Sequence, residues 1–122
     1  MYGINLYNVT ATVPAFCNLG GNYVDKRIDD GFGIGFEENM IYFDPAFFAG
    51  YIDVENEVYI DRCSLGDYTC PPSGIIAAYN QIKSKKKIVF YQNSDHSYKI
   101  DEAIYKFTVT QEKVTTNTPA GE

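Results

Sequence analysis

Four consecutive apolar residues, Ile88-Val89-Phe90-Tyr91, place the tightest constraint on what this chain can fold into. A run so short and unbroken, made of β-branched and aromatic side chains, reads as a strand buried on both faces, which is the habit of parallel sheets covered by helices. The preceding segment has the complementary pattern. From Ser73 to Ser84, Ile75, Ile76, Tyr79 and Ile82 fall on one helical face, with Pro71 and Pro72 at the entry and lysines at the exit. Before that, Glu57 to Leu65 carries Val58, Tyr59 and Ile60 and stops at the turn-forming stretch Gly66-Asp67-Tyr68-Thr69-Cys70-Pro71-Pro72. Strand, helix and strand at this spacing make a right-handed βαβ unit, so the two strands are parallel neighbours in an α/β fold.

The rest of the chain is read around that unit. Val9 to Val13 alternates apolar and polar residues and stops at Pro14, which predicts a first strand. From Phe16 to Asn39 the chain is rich in Gly, Asn and Asp and reads as irregular connection. The Gly31-Phe32-Gly33-Ile34-Gly35 stretch lacks the preceding strand and following helix of a nucleotide fingerprint. Asp44 as N-cap and Pro45 in the first helical position predict a short helix ended by Gly50. Asp101 to Lys106 reads as a weak short helix that docks through Ile104 and Phe107, and the segment beyond Gln111 as a tail without apolar periodicity. The organisation expected is one domain over residues 1–110 and a flexible tail over 111–122.

A chain of 122 residues suffices for one core and not for two. The formal net charge of −6 argues against a nucleic-acid partner, and the only basic cluster, Lys83 with Lys85, Lys86 and Lys87, reads as the solvated end of the helix before it. No apolar stretch reaches a membrane span, and the start has no signal-peptide pattern, so the chain as it stands is expected to be soluble and cytoplasmic. Cys17, Cys63 and Cys70 form neither an even disulfide set nor a C-x-x-C pair; with a single histidine they are read as small buried side chains, with no metal site. Eleven tyrosines raise the question of sugar stacking, with Tyr23, Tyr42, Tyr51 and Tyr68 in loops, although most are expected to pack the core. Asn8-Val9-Thr10 matches a glycosylation sequon but opens a strand.

Two residues could carry chemistry. Asp67 follows the second strand and His96 follows the third, and in open α/β sheets catalytic groups collect beyond the carboxyl ends of neighbouring strands. An acid there can hold an imidazole's tautomer and support its positive charge during acyl transfer. On spacing alone, Asp67 reads first as a turn former and His96 first as an exposed loop residue.

The stretch Leu65-Gly66-Asp67-Tyr68-Thr69-Cys70-Pro71-Pro72-Ser73-Gly74, followed by Ala77-Ala78-Tyr79-Asn80, Lys87-Ile88-Val89-Phe90-Tyr91 and Asp95-His96, resembles the acetyl xylan esterase and cephalosporin-C deacetylase family of α/β-hydrolases. Val13 to Gly21 and Tyr42 to Ala49 resemble the same family's upstream blocks, so the likeness runs from about Val9 to Tyr98. The resemblance implies a partial α/β-hydrolase fold, the last three parallel strands with flanking helices. It implies Asp67 as triad acid, His96 as general base, and Tyr68, Thr69 and Pro71 as the substrate-side loop around the acid. It also implies deacetylation of acetylated carbohydrates or other small acetyl esters through an acyl-serine, with no metal and no cofactor.

The chain departs from the family's pattern in two places. No Gly-x-Ser-x-Gly nucleophile elbow occurs in it, so the acid and base have no serine to activate. Ser64, Ser73 and Cys63 do not fall at a strand-to-helix elbow and do not replace it. Arg62, Cys63 and Ser64 stand where the resemblance implies small or apolar residues and a glycine. The expectation is a carbohydrate esterase fragment, inactive alone. Its alternatives are one half of a split esterase whose N-terminal partner supplies the serine, and a non-catalytic interaction or carbohydrate-binding module; the partners expected are the missing N-terminal half or further copies in a homo-oligomer.

Overall fold

The computed structural model describes residues 8–15, 17, 38–97 and 105–115. The glycine-rich stretch 31–35 and most of the helix expected over 101–106 lie outside the described residues. Among those described, a four-stranded sheet runs in the order β1 (Asn8–Thr12), β2 (Glu57–Ser64), β3 (Lys85–Tyr91), β4 (Lys106–Gln111). The first three strands are parallel, as the sequence predicts, and β4 runs antiparallel to β3. Helix α1 (Pro45–Ala49) follows a 3-10 turn over Glu38–Phe43, and α2 (Pro72–Gln81) crosses from β2 to β3.

Local chemistry sets these boundaries. The Asp44 carboxylate accepts the Ala46 N–H at 2.8 Å and caps α1, with Pro45 next in line. Pro71 and Pro72 open α2, and the Pro71 carbonyl accepts from the Gly74 and Ile75 amides. The buried face of α2 holds Gly74, Ile75, Ala78 and Tyr79, with Ile82 just past its end. Ile75, Tyr79, Ile60, Cys63, Cys70 and Ile88 form one core cluster, and Ala78 and Ile82 join Val58, Ala49 and Cys17 in a second. Burying a side chain such as Ile75 or Ile88 contributes roughly 1.5–3 kcal/mol each.

Two expectations are corrected. Lys85, Lys86 and Lys87 belong to β3 rather than to the end of the helix. Lys86 is buried, and its ammonium donates to the Tyr79 carbonyl at 2.7 Å and the Ile82 carbonyl at 2.8 Å. The cation complements the carboxyl end of α2, as charge logic requires, but from the neighbouring strand. Burial lowers its pKa. The second correction concerns Lys106, which opens a strand instead of ending a helix. Phe107 then faces Phe90 across the β3–β4 ladder. Beyond Gln111, the Val114 amide donates to the Lys83 carbonyl, and Lys113 pairs with Glu55 at 2.9 Å.

The ladder between β2 and β3 is regular from Glu57 to Ile60 and resumes at Cys63, so Asp61 and Arg62 together oppose Val89. An extra residue of this kind breaks the in-and-out alternation of a strand. In consequence Arg62, Cys63 and Ser64 are all buried in succession.

Candidate active site

The carboxyl ends of β2 and β3 form one rim, and both candidate residues stand on it. Asp67 follows β2 after Leu65 and Gly66, whose amides donate to the carbonyls of Tyr91 and Ser94, so the two rim loops are laced together through the backbone. Asn93 turns the chain after β3 at a φ of 52°, a conformation asparagine tolerates better than most residues. Asp95 then accepts the Ser97 amide at 2.8 Å and the Ser97 hydroxyl at 2.6 Å, which lowers its pKa and fixes the turn around His96.

The Asp67 side chain is fully buried and fully used. Its Oδ1 accepts the Thr69 amide at 2.8 Å and the Cys70 amide at 2.7 Å. That leaves Oδ2 to meet His96 Nδ1 at 3.0 Å. The imidazole is 47% exposed, so the far side of the ring is open to a reacting group. An acid held by two backbone amides, itself holding one nitrogen of a half-open imidazole, is an arrangement that can move a proton at the other nitrogen.

Of the other residues singled out from sequence, Thr69 contributes its amide to Asp67, Tyr68 is exposed beside it, and Pro71 is buried at the start of α2. An open cleft of about 390 Å³ is lined by Leu65, Gly66, Asp67, Tyr68, Pro72 and Ser73. Cys63 is fully buried and its thiol is pushed up to about 12 by burial and by the Asp67 charge. The Ser64 hydroxyl is engaged below the rim with Arg62 and Ser94. Neither is a free nucleophile.

Asp67, Cys70 and His96 bring one possible metal-ligating atom each to within 4.8 Å of one another. Ligands of a tetrahedral zinc lie roughly 3.3–3.8 Å apart and need free lone pairs and a thiolate. Here both carboxylate oxygens already accept hydrogen bonds, one of them from the imidazole side, so the cluster fits an acid–imidazole pair better than a cation site.

Sequence reasoning missed the layer beneath the pair. Arg62, 4% exposed, donates from Nε to Ser64 Oγ at 3.1 Å and from Nη2 to Ser94 Oγ at 3.0 Å. The one available signal was Arg62 itself, a charge in a strand that otherwise reads as buried.

Parallel strands joined by a crossover helix, with Asp67 and His96 beyond their carboxyl ends, make an α/β arrangement, and similarity to two solved esterases makes it the α/β-hydrolase type of fold. The family model described as Acetyl xylan esterase (AXE1) matches residues 36–111, and the chain belongs to that family. Two solved structures are similar to it. Acetyl xylan esterase from Paenibacillus sp. R4 shares 24% identity with a TM-score of 0.55, over 74% of this chain and 32% of that one. Acetyl Xylan Esterase 1 from Thermoanaerobacterium sp. JW/SL YS485 shares 28% identity with a TM-score of 0.53, over 73% of this chain and 32% of that one. The chain thus spans about a third of the length of these solved relatives. No curated protein sequence matches it.

Proposed function

We propose that the chain is the C-terminal part of an acetyl ester hydrolase, in which Asp67 and His96 are the acid and base of a catalytic triad. The observation that carries this reading is the 3.0 Å contact between His96 Nδ1 and an Asp67 oxygen whose partner oxygen is pinned by two backbone amides. The serine would come from the part of the fold that the chain does not share with its solved relatives. An exposed aromatic cluster supports such a neighbour: Tyr42, Phe48 and Tyr51 are more than half exposed around Phe47.

In the complete site the His96 Nε2 takes the serine proton as the hydroxyl attacks the acetyl carbonyl, and Asp67 stays ionised and supports the imidazolium. The same nitrogen then protonates the departing sugar alcohol. Water attacks the acyl-serine by the reverse transfer and releases acetate. Tyr68 borders the cleft beside the acid, where an acetylated carbohydrate would lie. Lacking a nucleophile elbow, the chain alone has no acyl-transfer activity in this reading.

The test is acetate release from acetylated xylan by the chain alone and by the chain assembled with the polypeptide encoded directly upstream. Release only by the assembly, falling by about 10⁶-fold in His96→Ala, is expected. Full activity in an assembled His96→Ala variant would overturn the reading. A folded assembly that releases no acetate would instead favour the non-catalytic module.

A further inference from the structure

We propose that Arg62 is a positioning residue for His96, acting from beneath the rim through Ser94. The inference rests on the acid–base reading only for its consequence in catalysis; the tie itself is a matter of geometry.

The extra residue in β2 turns Arg62 inward, so that the guanidinium lies under both rim loops at once. Its Nε donates to Ser64 Oγ at 3.1 Å, on the strand that leads to Asp67. Its Nη2 donates to Ser94 Oγ at 3.0 Å and to the Asp95 carbonyl at 3.4 Å, in the loop that carries His96. The two serine hydroxyls lie 3.1 Å apart and close the network. The guanidinium also lies 5.8 Å from the centre of the Tyr91 ring, at the end of β3.

A planar fork with several fixed donors can span two strands in this way, whereas an ammonium on a flexible stem cannot hold both ends in one geometry. Other contacts act at different points: Asp67 holds the ring at Nδ1, the Gly66 amide to Ser94 carbonyl bond ties the base of the loop, and Asp95 fixes the turn through Ser97. The network from Arg62 to Ser94 adds a buried, charge-assisted tie between the His96 loop and the strand that leads to Asp67.

His96 is the chain's sole histidine, so ring signals from the ¹⁵N-labelled full chain belong to it alone. In the wild type, the Nδ1 proton is expected to be observable and slowly exchanging. In Arg62→Met it should exchange about tenfold or more faster, with Arg62→Lys restoring little of the protection and amides of β2 and β3 unchanged. Because replacing a buried arginine can unfold the chain, Ser94→Ala, which removes one hydroxyl, must produce acceleration in the same direction. Wild-type exchange retained in a folded Arg62→Met, or in Ser94→Ala, would overturn the proposal alone. A wild type with no protected Nδ1 proton would overturn both this proposal and the acid–base reading.

Discussion

Phe90 of β3 and Phe107 of β4 stack with ring centroids 4.9 Å apart and planes inclined by 19°, at positions directly opposite in the antiparallel ladder. Every residue of β4 is exposed, so this pair is the main apolar tie between the last strand and the sheet. A cross-strand aromatic pair contributes roughly 0.5–1.5 kcal/mol beyond its buried area. Phe107→Ala is expected to raise amide exchange at Thr108 and Thr110 while leaving Ile60 and Cys63 protected, as measured by hydrogen exchange. Equal loosening of β2 and β4 would show that the sheet opens as one unit.

Gly74 faces Cys17 so closely that an added Cβ would lie 2.4 Å from the Cys17 carbonyl oxygen and 3.2 Å from its carbon. Both atoms are backbone and cannot rotate away. Gly74→Ala is expected to cost about 1–3 kcal/mol, read as a lower urea midpoint at unchanged slope. Gly66→Ala meets Ser94's carbonyl oxygen at 3.1 Å and should cost less.

Burial pushes the thiols of Cys17 and Cys63 up to about 12, with the nearby charges of Asp44 and Asp67 respectively adding to the shift. At pH 8 the thiolate population of each is about a thousandfold below that of an ordinary cysteine, so iodoacetamide should leave both unmodified in the native chain and alkylate both in urea. The same shifts set the alkaline limit of stability. A raised folded-state pKa favours the native state below the unfolded value of 9.0, and that contribution is lost as pH rises from 9.0 toward 12. Denaturation midpoints should fall across that window and fall less steeply in Cys63→Ala.

The sequence and the structure agree where local pattern decides. The Ile88–Tyr91 run, the prolines before α2 and the Asp44-Pro45 cap predicted the elements found there, and the three parallel strands are observed. The lysines of β3 were illegible because Lys86 is held in the interior by two carbonyls at the end of α2 and by the Tyr79 ring, contacts that no window of sequence reveals. β4 is a six-residue alternation, Lys106 to Gln111, too short to stand out beside the helix expected over Asp101 to Lys106. Asp67 and His96 were legible by their place after two neighbouring strands, and the structure brings them together. Ser94 was not, since a lone serine in a loop carries no pattern; Arg62 stood out only as a charge in a strand that otherwise reads as buried, because the β-bulge that turns it inward has no signature in the residues that form it.

The pairing of Asp67 with His96 decides whether the rim can serve as an acid–base site, and the ¹⁵N shifts of the His96 ring in the intact chain report on it. In its neutral form the ring should carry its proton on Nδ1, donated to Asp67, with Nε2 left as the acceptor that a general base requires. Asp67→Asn should abolish that preference. A wild-type ring with its proton on Nε2, unchanged by Asp67→Asn, would contradict the account.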